Sequence, residues 1–325
     1  MPTFDTPEPI SVTLEVGVGD IRIVASDRTD TIVDVRPRDP AKKSDVTAAE
    51  LTRVEYADGR LLVEAPKGWR QWSFRGGGES IDVEIGLPAG SHVGGQAGVA
   101  ALSCKGRIGE CRYRVGLGDI QLDQAGPVQL KSGAGDISVN RAAGDSQITT
   151  GSGALVIGSI DGAAVVKNSN GDTRIGEVTG DLRVKAANGR ISVDQADAAV
   201  TAKTANGDVR LGEVARGAVV AETAAGTVEV GVRDGVAAWL DLNTRFGNVQ
   251  NDLEASGPPE PGEDPVDLRA RTSWGDIIVR RSFANPASVA TASIMTIKMS
   301  PRIGTPTPIQ ARPRPSSLIA SSRDI

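Results

Sequence analysis

Gly171-Asp172-Thr173-Arg174-Ile175 returns 18 residues later as Gly189-Arg190-Ile191-Ser192-Val193, and again as Gly207-Asp208-Val209-Arg210-Leu211. The same line begins earlier, at Gly118-Asp119-Ile120-Gln121-Leu122, Gly135-Asp136-Ile137-Ser138-Val139 and Gly153-Ala154-Leu155-Val156-Ile157, and it ends at Gly226-Thr227-Val228-Glu229-Val230. Successive glycines stand 17, 18, 18, 18, 18 and 19 residues apart. A fixed period of about 20 residues with glycine turns and apolar alternation marks a stacked β architecture.

A second line lies half a period away: Val128-Gln129-Leu130, Ser146-Gln147-Ile148, Ala164-Val165-Val166, Leu182-Arg183-Val184, Val200-Thr201-Ala202 and Ala218-Val219-Val220. Each repeat is therefore two short strands and two turns. Strand side chains alternate between faces, so the apolar members of both lines point to one side. Eighteen residues enclose no core alone, but layers stacked at about 4.8 Å continue each apolar column. The expected walls are Leu122, Val139, Ile157, Ile175, Val193, Leu211 and Val230 on one side, and Leu130, Ile148, Val166, Val184, Ala202 and Val220 on the other. Asn170-Gly171, Asn188-Gly189 and Asn206-Gly207 fit tight corners that need positive φ, and stacked asparagines can hydrogen-bond along the axis. The fold class is all-β, a β-solenoid of two-strand rungs of about 18 residues.

The division along the chain follows from where the period holds. Residues 1–90 read as a β-rich N-terminal cap, with a short helix over 44–53 and a hairpin around Asp58-Gly59. Residues 91–235 are the regular rungs. Residues 236–281 are irregular rungs and a C-terminal cap in which Trp239, Phe246 and Trp274 cover the last layer. Residues 282–325, rich in Pro, Ser, Thr, Ala and Arg without period, read as a disordered tail.

Composition narrows the function. Aromatic residues make up 3% of the chain and glycine 39 of its 325 residues, which suits thin, evenly sized layers. A net charge of −5 gives no bulk attraction to nucleic acid. The first residues lack the basic and apolar regions of a signal peptide, and no run reaches the ~20 apolar residues of a membrane span, so the cytoplasm is the expected compartment. Cys104 and Cys111 fall level with Leu122 and Val128, as buried small hydrophobes. His92 is the only histidine, which leaves little material for histidine triads or multi-histidine metal sites. The corner aspartates Asp119, Asp136, Asp172, Asp208 and Asp276 lack calcium-repeat spacing and are interrupted by Ala154, Arg190 and Thr227, so they read as turn residues. No catalytic residue, metal site or cofactor is expected.

Two places could bind. One is the stretch from Lys67 to Gly78, where Trp69, Arg70, Trp72, Phe74 and Arg75 combine rings and cations as contact surfaces do. The same rings could instead plug the solenoid end. Its glycines make no phosphate loop, because no Gly-Lys-Ser/Thr follows. The other is a ridge of outward positions on the second strand, Lys131, Thr149, Lys167, Lys185 and Lys203, with Arg183 beside Lys185; the same lysines could instead be a solvated face that guards the sheet against aggregation. The opposite sheet alternates signs at Asp172, Arg174, Arg190, Asp208 and Arg210, which reads as cross-layer pairing.

Lines such as Gly171-Asp172-Thr173-Arg174-Ile175-Gly176-Glu177-Val178-Thr179-Gly180-Asp181-Leu182-Arg183-Val184 resemble a bacterial family of β-strand-repeat proteins called candidate adhesins, a domain of unknown function common in actinobacteria. Val16-Gly17-Val18-Gly19-Asp20-Ile21 and Gly78-Glu79-Ser80-Ile81-Asp82-Val83 resemble it as well, so the similarity spans about residues 5–281. The resemblance implies a β-solenoid without established catalytic residues. The expected function is a non-enzymatic scaffold or interaction module for a protein or anionic partner. The alternatives are an adhesin-like surface protein and, behind it, a carbohydrate-active β-helix protein.

Overall fold

The computed structural model describes residues 1–66, 79–254 and 265–282, all within one compact unit, Met1–Ala284. Of the tail expected over residues 282–325, Ser282 instead ends a strand, and residues 283–325 lie outside the described residues. The first elements are β1 (Thr3–Asp5), β2 (Ser11–Ser26), β3 (Asp30–Pro37), α1 (Lys43–Leu51), β4 (Arg53–Ala57), β5 (Arg60–Glu64), β6 (Ile81–Pro88) and β7 (His92–Arg107). The rungs follow as strand pairs: β8 (Cys111–Leu117) with β9 (Ile120–Ala125), β10 (Val128–Ala134) with β11 (Ile137–Ala142), β12 (Ser146–Ser152) with β13 (Leu155–Ile160) and β14 (Ala164–Asn170) with β15 (Thr173–Val178). They continue with β16 (Leu182–Asn188) and β17 (Ile191–Ala196), β18 (Val200–Lys203) and β19 (Val209–Val214), and β20 (Gly217–Glu222) and β21 (Val228–Arg233). Last come β22 (Ala238–Phe246), β23 (Val249–Asn251), β24 (Val266–Trp274) and β25 (Ile277–Ser282).

Within the stack, like pairs with like in parallel. Leu122, Val139, Ile157, Ile175, Val193, Leu211 and Val230 are successive partners, and the column runs on to Val279. All of them are buried. The facing column, Leu130, Ile148, Val166, Val184 and Ala202, is equally continuous and buried, but its next member is Ala221 rather than the expected Val220. The turn through Ala215-Arg216-Gly217-Ala218 holds one residue more than its predecessor and shifts the alternation by one place. A one-residue slip moves a side chain to the other face, so Val220 points outward.

The corners explain why glycine recurs. Gly171 has φ +129°, and a Cβ there would lie 2.2 Å from the carbonyl oxygen of Gly153 one rung below; its counterparts from Gly118 to Gly275 share both properties. Layers this close leave no room for a side chain. Beside the corners runs a buried polar column that replaces one apolar position per rung. Ser132, Thr150, Thr204, Thr223, Thr272 and, half-buried in the outermost layer, Thr244 each donate a hydroxyl to the glycine carbonyl of the rung below, at 2.9–3.5 Å. In β16 that place is Ala186, which can donate nothing. Asn168, in the rung below, bonds both Gly153 O at 3.1 Å and Gly171 O at 2.9 Å. One amide thus covers two corners.

The corner aspartates are structural. Asp119, Asp136, Asp172 and Asp208 accept the backbone N–H of the matching residue in the next rung, at 2.7–3.0 Å. The asparagine ladder is present too: Asn188 donates to Asn170 at 2.8 Å and Asn206 to Asn188 at 2.9 Å.

The N-terminal segment contributes more than a cap. β2 runs through both sides of a full rung and pairs in parallel with β7 from Ser11–His92 to Val24–Lys105. Its other edge is shared by β5 and β6. Antiparallel strands then finish this end: β4 on β5 around Asp58-Gly59, β3 on β6, and β1 on β3. α1 packs on β3 and β6, and its buried Asp45 receives Lys42 at 2.9 Å and the Ser80 N–H.

At the C-terminal end the order of layers departs from the order of the chain. β24 pairs with β20 on one edge and with β22 on the other, and β25 lies likewise between β21 and β23. The last rung in sequence is thus the penultimate layer. The expected aromatic cover is absent: Trp239, Phe246 and Trp274 are 61%, 57% and 61% exposed. Trp274 and Phe246 continue the corner column of Asn170, Asn188, Asn206 and Ala225, with ring centroids 4.2 Å apart. Corner side chains project away from the core, so these rings stack along the axis without covering it.

Cys104 and Cys111 are free and buried, in the columns expected for them. Burial raises both thiols, Cys111 to about 12 and Cys104 well above its usual value. The thiolate is the reactive form. Both are therefore expected to resist a disulfide reagent at pH 8 in the folded protein and to react fully in denaturant; fast labelling of the native chain would contradict this packing.

Candidate functional site

On β8, β10, β12, β14, β16 and β18 the period-2 alternation sends every second side chain away from the core. None of these six strands contains an aspartate or glutamate. Parallel pairing in register places Arg114, Lys131, Thr149, Lys167, Lys185 and Lys203 in one column, so the expected ridge is present. The column spans about 24 Å at the usual strand spacing. A neighbouring column holds Arg112, Gln129, Gln147, Val165, Arg183 and Thr201. Arg183 therefore flanks Lys185 as expected.

Arg112 and Arg114 extend the face beyond the residues singled out in the sequence. The signal was available, since Cys111 aligns with Val128 and so places Arg114 level with Lys131. The 17-residue first step obscured it. Carboxylates bound the column at both ends. Glu15 and Glu64 precede Arg114 by way of Gln96, and Glu222 follows Lys203 at 2.7 Å. Arg112 pairs with Glu110 at 2.6 Å. Among the described residues no carboxylate lies within ion-pair distance of Arg114, Lys131, Lys167, Arg183 or Lys185. At the N-terminal end of the face the outward surface is indented beside Gly95. There Thr13, Glu15, Gln96, Arg112, Arg114 and Gln129 surround an open cavity of about 290 Å³.

The opposite sheet differs. Arg174 pairs with Asp194 at 3.6 Å, Arg190 with Asp208 at 3.1 Å and Arg210 with Glu229 at 3.7 Å, while Arg280 also reaches Glu229. Its charges are matched across layers, as the alternating signs led one to expect. The other expected surface, Trp69, Arg70, Trp72, Phe74 and Arg75, lies outside the described residues. Among the described residues no cluster of three or more His, Cys, Asp or Glu could hold a metal ion, and no helix is long and apolar enough to cross a membrane.

The sequence profile of the Toastrack DUF4097 family matches residues 10–253. No curated protein matches the chain in sequence. Among solved structures it is similar to a candidate adhesin from Parabacteroides distasonis ATCC 8503, at 14% identity over 86% of this chain and 95% of that one, TM-score 0.35. A candidate cell adhesion protein from Clostridium sporogenes ATCC 15579 is 11% identical over 86% of this chain and 98% of its own, TM-score 0.22. A candidate lipid-binding protein from Parabacteroides distasonis ATCC 8503 is 10% identical over 86% and 95%, TM-score 0.29.

Proposed function

The chain belongs to the Toastrack DUF4097 family, and on that premise we propose that it is a non-enzymatic β-solenoid module that holds an extended anionic partner along its cationic face. The observation that supports this reading is the unmatched column from Arg114 to Lys185. Unit charges about 5 Å apart repel by about 1 kcal/mol per neighbouring pair even in water. Solubility alone does not require that cost, since the opposite sheet stays charged while pairing its residues across layers. The outward side chains of the face are Lys, Arg, Gln, Thr, Ser, Gly and corner Asn apart from Val165, Ala187 and, at the strand ends, Leu117 and Ala134, so what it mainly supplies is positive charge and hydrogen-bond donors. Charges repeating at one strand spacing match a polyanion lying along the axis, with its own charges at similar intervals.

Binding of polygalacturonate to the wild-type chain and to a Lys131→Glu/Lys167→Glu/Lys185→Glu variant tests this. The variant is expected to bind at least about 10-fold more weakly, a loss of ~1.4 kcal/mol. Wild-type affinity should also fall as salt rises from about 50 to 200 mM, because the contacts are exposed and screened. Thermal melting separates lost binding from lost folding: the charge reversal makes opposite-charge neighbours of Arg114 with position 131 and of Lys203 with position 185 and keeps one like-charge pair, 167 with 185, so the variant should be at least as stable as wild type. Equal affinity of the two proteins would end the proposal.

A further inference from the structure

The two ends of the stack are finished differently. At the N-terminal end the outermost strands are β1, of three residues, and β4, of five residues carrying the exposed Arg53 and Glu55. Short and charged edge strands discourage pairing with another chain. The outermost strand at the other end is β22, nine residues long and paired along one edge to β24. Its inward side chains Ala238, Leu240 and Leu242 are only half-buried, whereas their partners Val266, Leu268 and Ala270 one layer in are fully buried. Among the described residues no strand lies on its far edge.

We infer that β22 pairs with β22 of a second copy, antiparallel about a two-fold axis at Leu242. Antiparallel pairing keeps facing residues on the same side of the sheet, so Leu242 meets itself and Leu240 meets Thr244, inward against inward. On the outward side Trp239 faces Arg245, a cation over an aromatic ring, and Asp241 faces Asn243. No like charges oppose one another. Centring the pairing on Asp241 instead would set two carboxylates against each other. The strand is thus complementary to itself in this register, and isologous pairing closes after two copies. An axis normal to the sheet also turns both cationic faces to the same side, with the layers that carry Glu222, Asp267 and Asp241 between them. The inference is independent of anion binding, since it concerns residues outside that face.

Sedimentation of the full chain is expected to show a concentration-dependent doubling of mass, and Leu242→Lys should abolish it. Cysteine substitution fixes the register even if that lysine disturbs the end rung. Facing Cα atoms in an antiparallel pair lie about 4.5–5.5 Å apart, within disulfide reach. Leu242→Cys should therefore cross-link between copies under mild oxidation. Arg245→Cys should not, because it would stand about 20 Å from its own copy. The native cysteines are buried and do not compete. A monomer at every concentration, which is also the outcome if residues 283–325 or another protein take the edge, would overturn the inference. So would cross-linking through Arg245→Cys as readily as through Leu242→Cys.

Discussion

Replacing Gly171 by alanine is expected to destabilise the fold by about 4 kcal/mol. Two penalties coincide there. An L-residue at φ +129° adopts a backbone conformation that only glycine takes freely. The new methyl would also sit 2.2 Å from Gly153 O and 2.7 Å from its carbonyl carbon, both backbone atoms held by the adjoining rung. Gly59 provides the control, with φ +72° and nothing within 4 Å of an added methyl. Gly59→Ala thus carries the conformational penalty alone, about 1 kcal/mol. Urea unfolding followed by far-UV circular dichroism measures both. If Gly171→Ala unfolds within about 1 kcal/mol of Gly59→Ala, the layers are not in the contact described.

Asn168→Val is expected to cost about 2 to 3 kcal/mol, because one amide serves two corner carbonyls and each lost bond to a poorly solvated group costs about 1 kcal/mol or more. The substitutions around it separate the two contributions. Asn168→Thr restores the hydroxyl used elsewhere in the column and should cover Gly153, at about half the cost of valine. Gly171 O would remain bare, because the residue above it is Ala186. Adding Ala186→Thr should recover that loss, although Ala186→Thr alone should gain little while Asn168 already covers the site. The signature is a coupling between positions 18 residues apart, read from a double-mutant cycle. Strict additivity would mean that the side chains do not share a carbonyl.

Much of this was legible in the sequence because the repeat is exact enough to stack. Ile175 lands on Val193, and Lys167 on Lys185, from spacing alone. Legibility failed where a length changed. The extra residue before Val219 moved Val220 outward, and the short first step hid Arg112 and Arg114. The donors that satisfy the corner glycines went unnoticed for another reason. Ser132, Thr150 and Asn168 are polar at an inward position, and an alternation rule assigns polar residues to solvent. Their burial follows from carbonyls that a sequence does not display. Trp239, Phe246 and Trp274 were misjudged because ring size suggests a lid, whereas direction from the backbone decides whether a side chain covers anything.

The family profile stops at residue 253, yet β24 and β25, beyond it, are an interior layer. A gene shortened at that boundary would encode β22 and β23 while removing the only strands they bind among the described residues. Shortening this end cleanly therefore means leaving off everything after Arg233, and any chimera or split version that respects the architecture must carry residues 238–282 as one indivisible block.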